Sequence, residues 1–164
     1  MSTNRYQRKI LNHSARKDVP NLVLDNSVAM RWCFKDGSQT DLIYANKVLD
    51  SLTLDYTFLV PNLWHLEAAN VVVRAQKRQW LTTEQMHEFL DLVGQLPVIV
   101  DNDTAKQAMS ATILLASQHN LSAYDAAYLE LALRHQVPLA TLDADLRKAA
   151  NKINVPIFGM ADNA

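Results

Sequence analysis

Three aspartates in this chain follow or open segments that place a side chain at the end of a strand. Asp25 closes NLVLD (21–25), an apolar run of strand length, and Asp143 follows PLATL (138–142), a second such run. Asp125 lies in the first turn of a segment from Leu121 to Gln136 whose apolar positions, Leu121, Ala126, Leu129 and Leu133, recur at helical spacing. A fourth acid, Glu67, falls within LWHLEAANVVVRAQKRQ, about one turn past the strand YTFLVP (56–61). In parallel α/β sheets ligands bind outside the carboxyl ends of the strands, so these four acids are expected to share one crevice. Two carboxylates about 5 Å apart repel by roughly 3 kcal/mol at an effective dielectric near 20, and four make several such pairs. A hard divalent cation offsets that repulsion. Oxygen donors without a His or Cys cluster suit Mg²⁺ or Mn²⁺ better than zinc, and the chemistry such a site supports is attack of activated water on a phosphodiester.

Each acid also has a purely structural reading. Asp125 near a helix start complements the macrodipole by about 0.3–1 kcal/mol, and Asp143 could pair with Arg147 at i,i+4. Asp25 could close an Asx-turn or cap the helix after it, where Asn26 and Ser27 are also capping residues. Glu67 is the exception, because a charge on a largely apolar helix face needs partners. His65, two residues away, points elsewhere and reads as a surface histidine.

The elements that must carry these residues alternate along the chain. After the first strand, SVAMRWCF forms a short helix with Val28, Trp32 and Cys33 inward. Ser38 caps a helix running to about Leu52, and Thr82 and Gln85 have capping-box spacing for a helix to about Gln95. LPVIVD supplies a third strand, and Asp103 or Thr104 caps a helix ending near His119. A helix through about Asn151 and a last short strand, VPIFG, complete the order. Such alternation predicts a mostly parallel sheet with helices on both faces.

Composition narrows the alternatives. A chain of 164 residues that is 49% hydrophobic can bury one sizeable core. Its single cysteine, Cys33, allows no intramolecular disulfide, and no run of 18 apolar residues or secretory h-region is present, so the expected location is the cytoplasm, with no membrane partner. Only Gly37, Gly94 and Gly159 occur, which leaves no GxGxxG or P-loop for nucleotide phosphates, and no GxSxG elbow is found. Residues 1–20 hold Arg5, Arg8, Lys9, Arg16 and Lys17 against Asp18. This basic leader is expected to be a flexible extension to a domain spanning 21–164, with nucleic-acid contact as its functional alternative.

Four segments in order, LDNSVAMRW (24–32), LEAAN (66–70), SAYDAAYLELA (122–132) and TLDADL (141–146), resemble PIN domains, and the similarity is greatest to the VapC-like toxin ribonucleases. The resemblance covers about residues 21–159. It implies a three-layer α/β/α sandwich with a five-stranded sheet of order 3-2-1-4-5, Mg²⁺-dependent endoribonuclease activity on RNA, a homodimer, and a cognate antitoxin that blocks the site. The family's acids match Asp25, Glu67, Asp125 and Asp143, with Asp25, Asp125 and Asp143 on the metal and Glu67 positioning it or accepting a proton. Asp145 has a weaker claim to the fourth place, and Ser27, Asn70 and Thr141 match polar neighbours of the site. The different-class alternative is a catalytically silent PIN-like module that binds RNA or protein. A receiver-type phosphate-sensing domain would need an acidic pair before the Asp that ends the first strand and a lysine at the last strand, and this sequence has neither.

Overall fold

The computed structural model describes residues 21–34 and 37–159. The expectation for the basic leader therefore lies outside the described residues. Among the described residues, four parallel strands run β1 (Asn21–Leu24), β2 (Thr57–Pro61), β3 (Val98–Asp101) and β4 (Leu139–Ala140), in spatial order β3-β2-β1-β4. Leu22, Val23 and Leu24 are all fully buried. Successive side chains of a strand point to opposite faces, so burial without alternation means that both faces are covered at β1 and β2, while Ile99 and Val100 of the edge strand β3 are exposed.

Among the described residues, seven α-helical segments supply the covering layers: α1 (Asn26–Phe34), α2 (Gln39–Asp50), α3 (Trp64–Lys77), α4 (Thr83–Gln95), α5, α6 (Ala123–His135) and α7 (Ala144–Lys152). Helix α5 starts at Thr104–Gln107, widens to a π-helical stretch at Ala108–Thr112 and ends as Ile113–His119. Ser38 with Asp41 and Thr82 with Gln85 form reciprocal capping boxes at α2 and α4, where the sequence places them. Asn120 and Gln136, both left-handed, stop α5 and α6. Neither Asp103 nor Thr104 caps α5: Asp103 makes no capping side-chain bond, and the Thr104 hydroxyl donates to Asp101.

The expected fifth strand is absent among the described residues. VPIFG touches β4 through one parallel bridge, Leu139 to Ile157, with Leu139 N–H donating to the Pro156 carbonyl (2.8 Å) and Phe158 N–H to the Leu139 carbonyl (2.9 Å). Its left-handed neighbours Asn154 and Gly159 leave only four residues between turns, and Pro156 has no N–H to extend the ladder. Cys33 is buried in the core, and His65 is exposed, as the sequence suggests.

In this order the chain leaves β1 toward β2 and β3 and later returns to β4 on the other side. The crevice between the carboxyl ends of β1 and β4 is therefore the switch point of the sheet. Asp25 is the first residue after β1, and Thr141 the first after β4.

Candidate active site

Asp25 is 6% exposed, and its N–H still pairs with the Ala140 carbonyl (3.0 Å), so the sheet fixes its backbone. Its Oδ2 accepts hydrogen bonds from Ser27 Oγ (2.5 Å) and Thr141 Oγ1 (2.6 Å). Each hydroxyl in turn accepts a backbone N–H from the β4–α7 turn: Leu142 to Ser27 (2.9 Å) and Asp143 to Thr141 (3.0 Å). Two hydroxyls thus tie that turn to the carboxylate. Burial raises the Asp25 pKa to about 6, with the charge of Asp125 adding to the effect and the Ser27 and Thr141 hydrogen bonds opposing it.

Glu67 reaches the same region from the first turn of α3. It is half-buried, and its Oε2 accepts from the Tyr128 hydroxyl and from Asn26 Nδ2 (3.2 Å). Burial pushes its pKa up; the charge of Asp125 contributes, while the Tyr128 and Asn26 bonds lower it. Tyr128 is buried and its phenol is driven well above the usual range by burial, by the charge of Asp25 and by its bond to Glu67, so it stays a neutral donor. Asn26 does not cap α1 as its position suggests. It is 8% exposed, and its Nδ2 turns inward to the Trp64 carbonyl (2.9 Å), the Tyr128 hydroxyl (3.1 Å) and Glu67, joining the starts of α1, α3 and α6. Tyr128→Phe should cost about 1–2 kcal/mol and raise the Glu67 pKa further, because it removes a donor from a half-buried carboxylate. Denaturant unfolding and an NMR titration of Glu67 check both; an unmoved Glu67 titration would remove Tyr128 from this role.

Asp125 stands in the first turn of α6, where Ser122 Oγ donates to its Oδ2 (2.6 Å) and accepts its N–H (3.0 Å). Its charge reaches both Asp25 and Glu67. Asp143 caps α7, its Oδ1 accepting the Leu146 N–H (2.7 Å). The anticipated Asp143–Arg147 pair gives way to another arrangement. Arg147 Nε donates to the Thr141 carbonyl (2.8 Å), and its guanidinium lies 5.0 Å from the centre of the Tyr44 ring. Asn70 and Asp145 are exposed on the outer sides of α3 and α7, and no hydrogen bond among the described residues ties either to the cluster.

The structure thus brings Asp25 and Glu67 each within electrostatic reach of Asp125 and holds Asp143 at the same edge by its backbone. Among the described residues, no group of three or more His, Cys, Asp and Glu side chains is gathered closely enough to hold a metal ion. One oxygen of each of the four carboxylates takes a donor from the chain itself. Mg²⁺ keeps several waters and is commonly held by one or two carboxylates with substrate phosphate, so such an ion needs no closed cage of acids.

The family model for the PIN domain matches residues 22–152, most of the chain and all four acids. This chain is a PIN domain. The fold of the PIN domain described here is similar to the crystal structure of PAE2754 from Pyrobaculum aerophilum, with a TM-score of 0.54 at 16% identity over 79% of this chain and 84% of that one. No curated protein matches. PIN domains are generally nucleases, usually metal-dependent, and this family membership supports a hydrolase acting on nucleic acid.

Asn26 and Tyr128 were hidden in the sequence by plausible structural roles. Asn26 follows a strand and resembles a cap, and Tyr128 lies at i+3 from Asp125 within an apolar run where an aromatic ring reads as core. The usable signal was their sharing of segments with Asp25 and Asp125.

Proposed function

We propose that this PIN domain is a metal-dependent endoribonuclease of the VapC-like kind, the toxin of a type II toxin–antitoxin pair. The observation that carries the reading is the buried Asp25 carboxylate at the switch point, kept beside the charge of Asp125. Asp25, Asp125 and Asp143 would hold Mg²⁺, with Mn²⁺ as its substitute. When bound, the ion supplies Lewis acidity that activates water and neutralises charge developing on the phosphate oxygens.

The chain's own residues do the rest. Ser27 and Thr141 fix the Asp25 carboxylate in one orientation, so it need not reorganise as substrate arrives. Asn26 and Tyr128 fix Glu67, whose raised pKa suits a group that positions the ion or takes a proton from water. RNA is the proposed substrate, with a homodimer and a cognate antitoxin as partners and the cytoplasm as location. No helix among the described residues is long and apolar enough to cross a membrane.

A cleavage assay on single-stranded RNA tests the reading. Mg²⁺ should support cleavage and EDTA abolish it, and Asp125→Asn should lose two or more orders of magnitude in rate, on the scale of a missing metal contact. An Asp125→Asn protein that cleaves at the parent rate would sink the assignment. Tight RNA binding without cleavage by the parent would establish the silent binding module in its place.

A further inference from the structure

Helix α3 carries a second feature beyond Glu67. Its buried face is Trp64, Ala68, Val72 and Ala75, while Asn70, Arg74, Lys77 and Arg78 are exposed. At 100° per residue, Glu67, Asn70, Arg74 and Arg78 fall on one stripe of the helix surface. From Glu67 to Lys77 is ten residues, a rise of about 15 Å, so the stripe leads away from the candidate active site along the helix. Between Glu67 and Glu84 the sequence contains Arg74, Lys77 and Arg78 and no acid. Neither Arg74 nor Lys77 is ion-paired among the described residues.

The stripe ends at an aromatic ring held outward. Gln79 is left-handed at φ 59°, and the helix closes with Gln79 N–H donating to the Gln76 carbonyl (3.0 Å) and Trp80 N–H to the Ala75 carbonyl (2.9 Å), the Schellman pattern. That motif commonly buries the residue at the Trp80 position. Here Leu81 is buried instead, at 5% exposed, and Trp80 is 67% exposed. The Arg78 guanidinium lies 4.8 Å from the centre of the Trp80 ring. A non-glycine residue in left-handed backbone and an uncovered indole both carry a cost, and the turn holds the ring in solvent beside Arg78, with Lys77 and Arg74 in the helical turn before it.

We propose that this end of α3 is a docking platform for single-stranded RNA, with a base stacked on the face of Trp80 opposite Arg78 and phosphates on Arg74, Lys77 and Arg78. Charge complementarity selects a polyanion, and the exposed ring selects one with unpaired bases, since a base inside a duplex offers no free face. The strand would run from the platform along the Asn70 stripe to the site at Glu67. The assignment rests on the RNA reading above for its connection to cleavage, but its binding step does not.

Binding of a fluorescein-labelled oligoadenylate of about 12 nucleotides, in EDTA so that no cleavage intervenes, tests it by anisotropy. Trp80→Ala should weaken binding about 5- to 100-fold, the effect of one lost base–aromatic stack, while Trp80→Phe keeps most of the affinity. Arg74→Gln with Lys77→Gln should flatten the dependence of log K on log salt by about 0.7 per charge removed. The same RNA in a duplex should be insensitive to Trp80→Ala. If Trp80→Ala binds the single strand as the parent does, the platform is wrong, whatever the cleavage assay shows. A changed oligomeric mass on size exclusion with unchanged RNA affinity would overturn it too, by assigning Trp80 to a contact between copies. Loss of affinity in Trp80→Ala beside a parent that does not cleave would uphold the platform and reject the nuclease reading.

Discussion

Asp25→Asn should leave a protein that is more stable than its parent in EDTA at pH 7 and unable to cleave RNA. The carboxylate is buried, and its pKa stands at about 6 against an ordinary 3.8. A folded-state pKa above the unfolded one means that the native protein holds its proton more tightly. The resulting stabilisation is complete below about pH 4 and is lost as pH rises through 6. The shift corresponds to about 3 kcal/mol, an upper figure for what the ionised side chain costs the fold at neutral pH. An asparagine carbonyl can still accept from Ser27 and Thr141, so the hydrogen bonds survive the change. Urea unfolding of both proteins from pH 4 to 7.5 in EDTA should show the mutant overtaking its parent across that window, the contribution of Glu67 being common to both. Activity should fall by two or more orders of magnitude, because the replaced group is a proposed ion ligand. Stability curves that run parallel over the whole range would mean that Asp25 ionises as an ordinary acid, and burial would not be what sets its ionisation.

What the sequence makes legible at this site is dictated by strand ends. NLVL and TFLVP are continuous apolar runs, which only a sheet covered on both faces can bury, and a parallel sheet puts the next residue of each strand at a common edge. Asp25 and Thr141 meet for that reason, although 116 residues separate them. VPIFG has the composition of a strand too. Its failure to extend one lies in hydrogen-bond supply, because Pro156 cannot donate and β4 offers only Leu139 and Ala140 as a partner.

Side-chain direction was the less legible level. Helical spacing places Asn70 near Glu67, but α3 turns its Ala68 and Val72 side inward and leaves Asn70 in solvent. Asp143 reads as ligand or as partner of Arg147, and its Oδ1 instead caps α7. Asn26 reads as a cap and instead spans three helix starts. Its direction depends on residues from α3 and α6 that are 38 to 102 positions away, and no local pattern encodes such partners.

The same dependence on distant partners governs the largest stability effect expected outside the site, that of Arg134→Ala. Glu130 interrupts a run of buried residues on α6 and is 4% exposed, and Asp101 ends β3 at 7% exposed. Arg134 holds both: Nε donates to Glu130 Oε1 (2.7 Å), while Nη2 and Nη1 donate to Asp101 Oδ2 (2.9 Å) and Oδ1 (3.2 Å). Burial alone would raise the Asp101 pKa. The bonds from Arg134 and Thr104 and the Arg134 charge outweigh it, so the net shift is downward. Removing the guanidinium leaves two buried acids without their cation, a loss of about 3–5 kcal/mol, or a melting point lower by about 6–20 °C for a domain of this size. The sign of the pH dependence is opposite to that of Asp25. A depressed folded pKa stabilises above the unfolded value and loses its effect as pH falls through the folded one, so the gap between parent and Arg134→Ala should be full at pH 7 and close in acid. Arg134→Met with Glu130→Gln should recover part of the loss at pH 7, since it removes one buried charge along with the cation and keeps the packed volume. Calorimetric melting of the three proteins at pH 7 and well below pH 3.8 decides it. A single mutant that melts with its parent at pH 7 would show that water, rather than Arg134, compensates these acids. The clamp would then have no part in fastening α6, and with it Asp125 and Tyr128, to the end of the sheet.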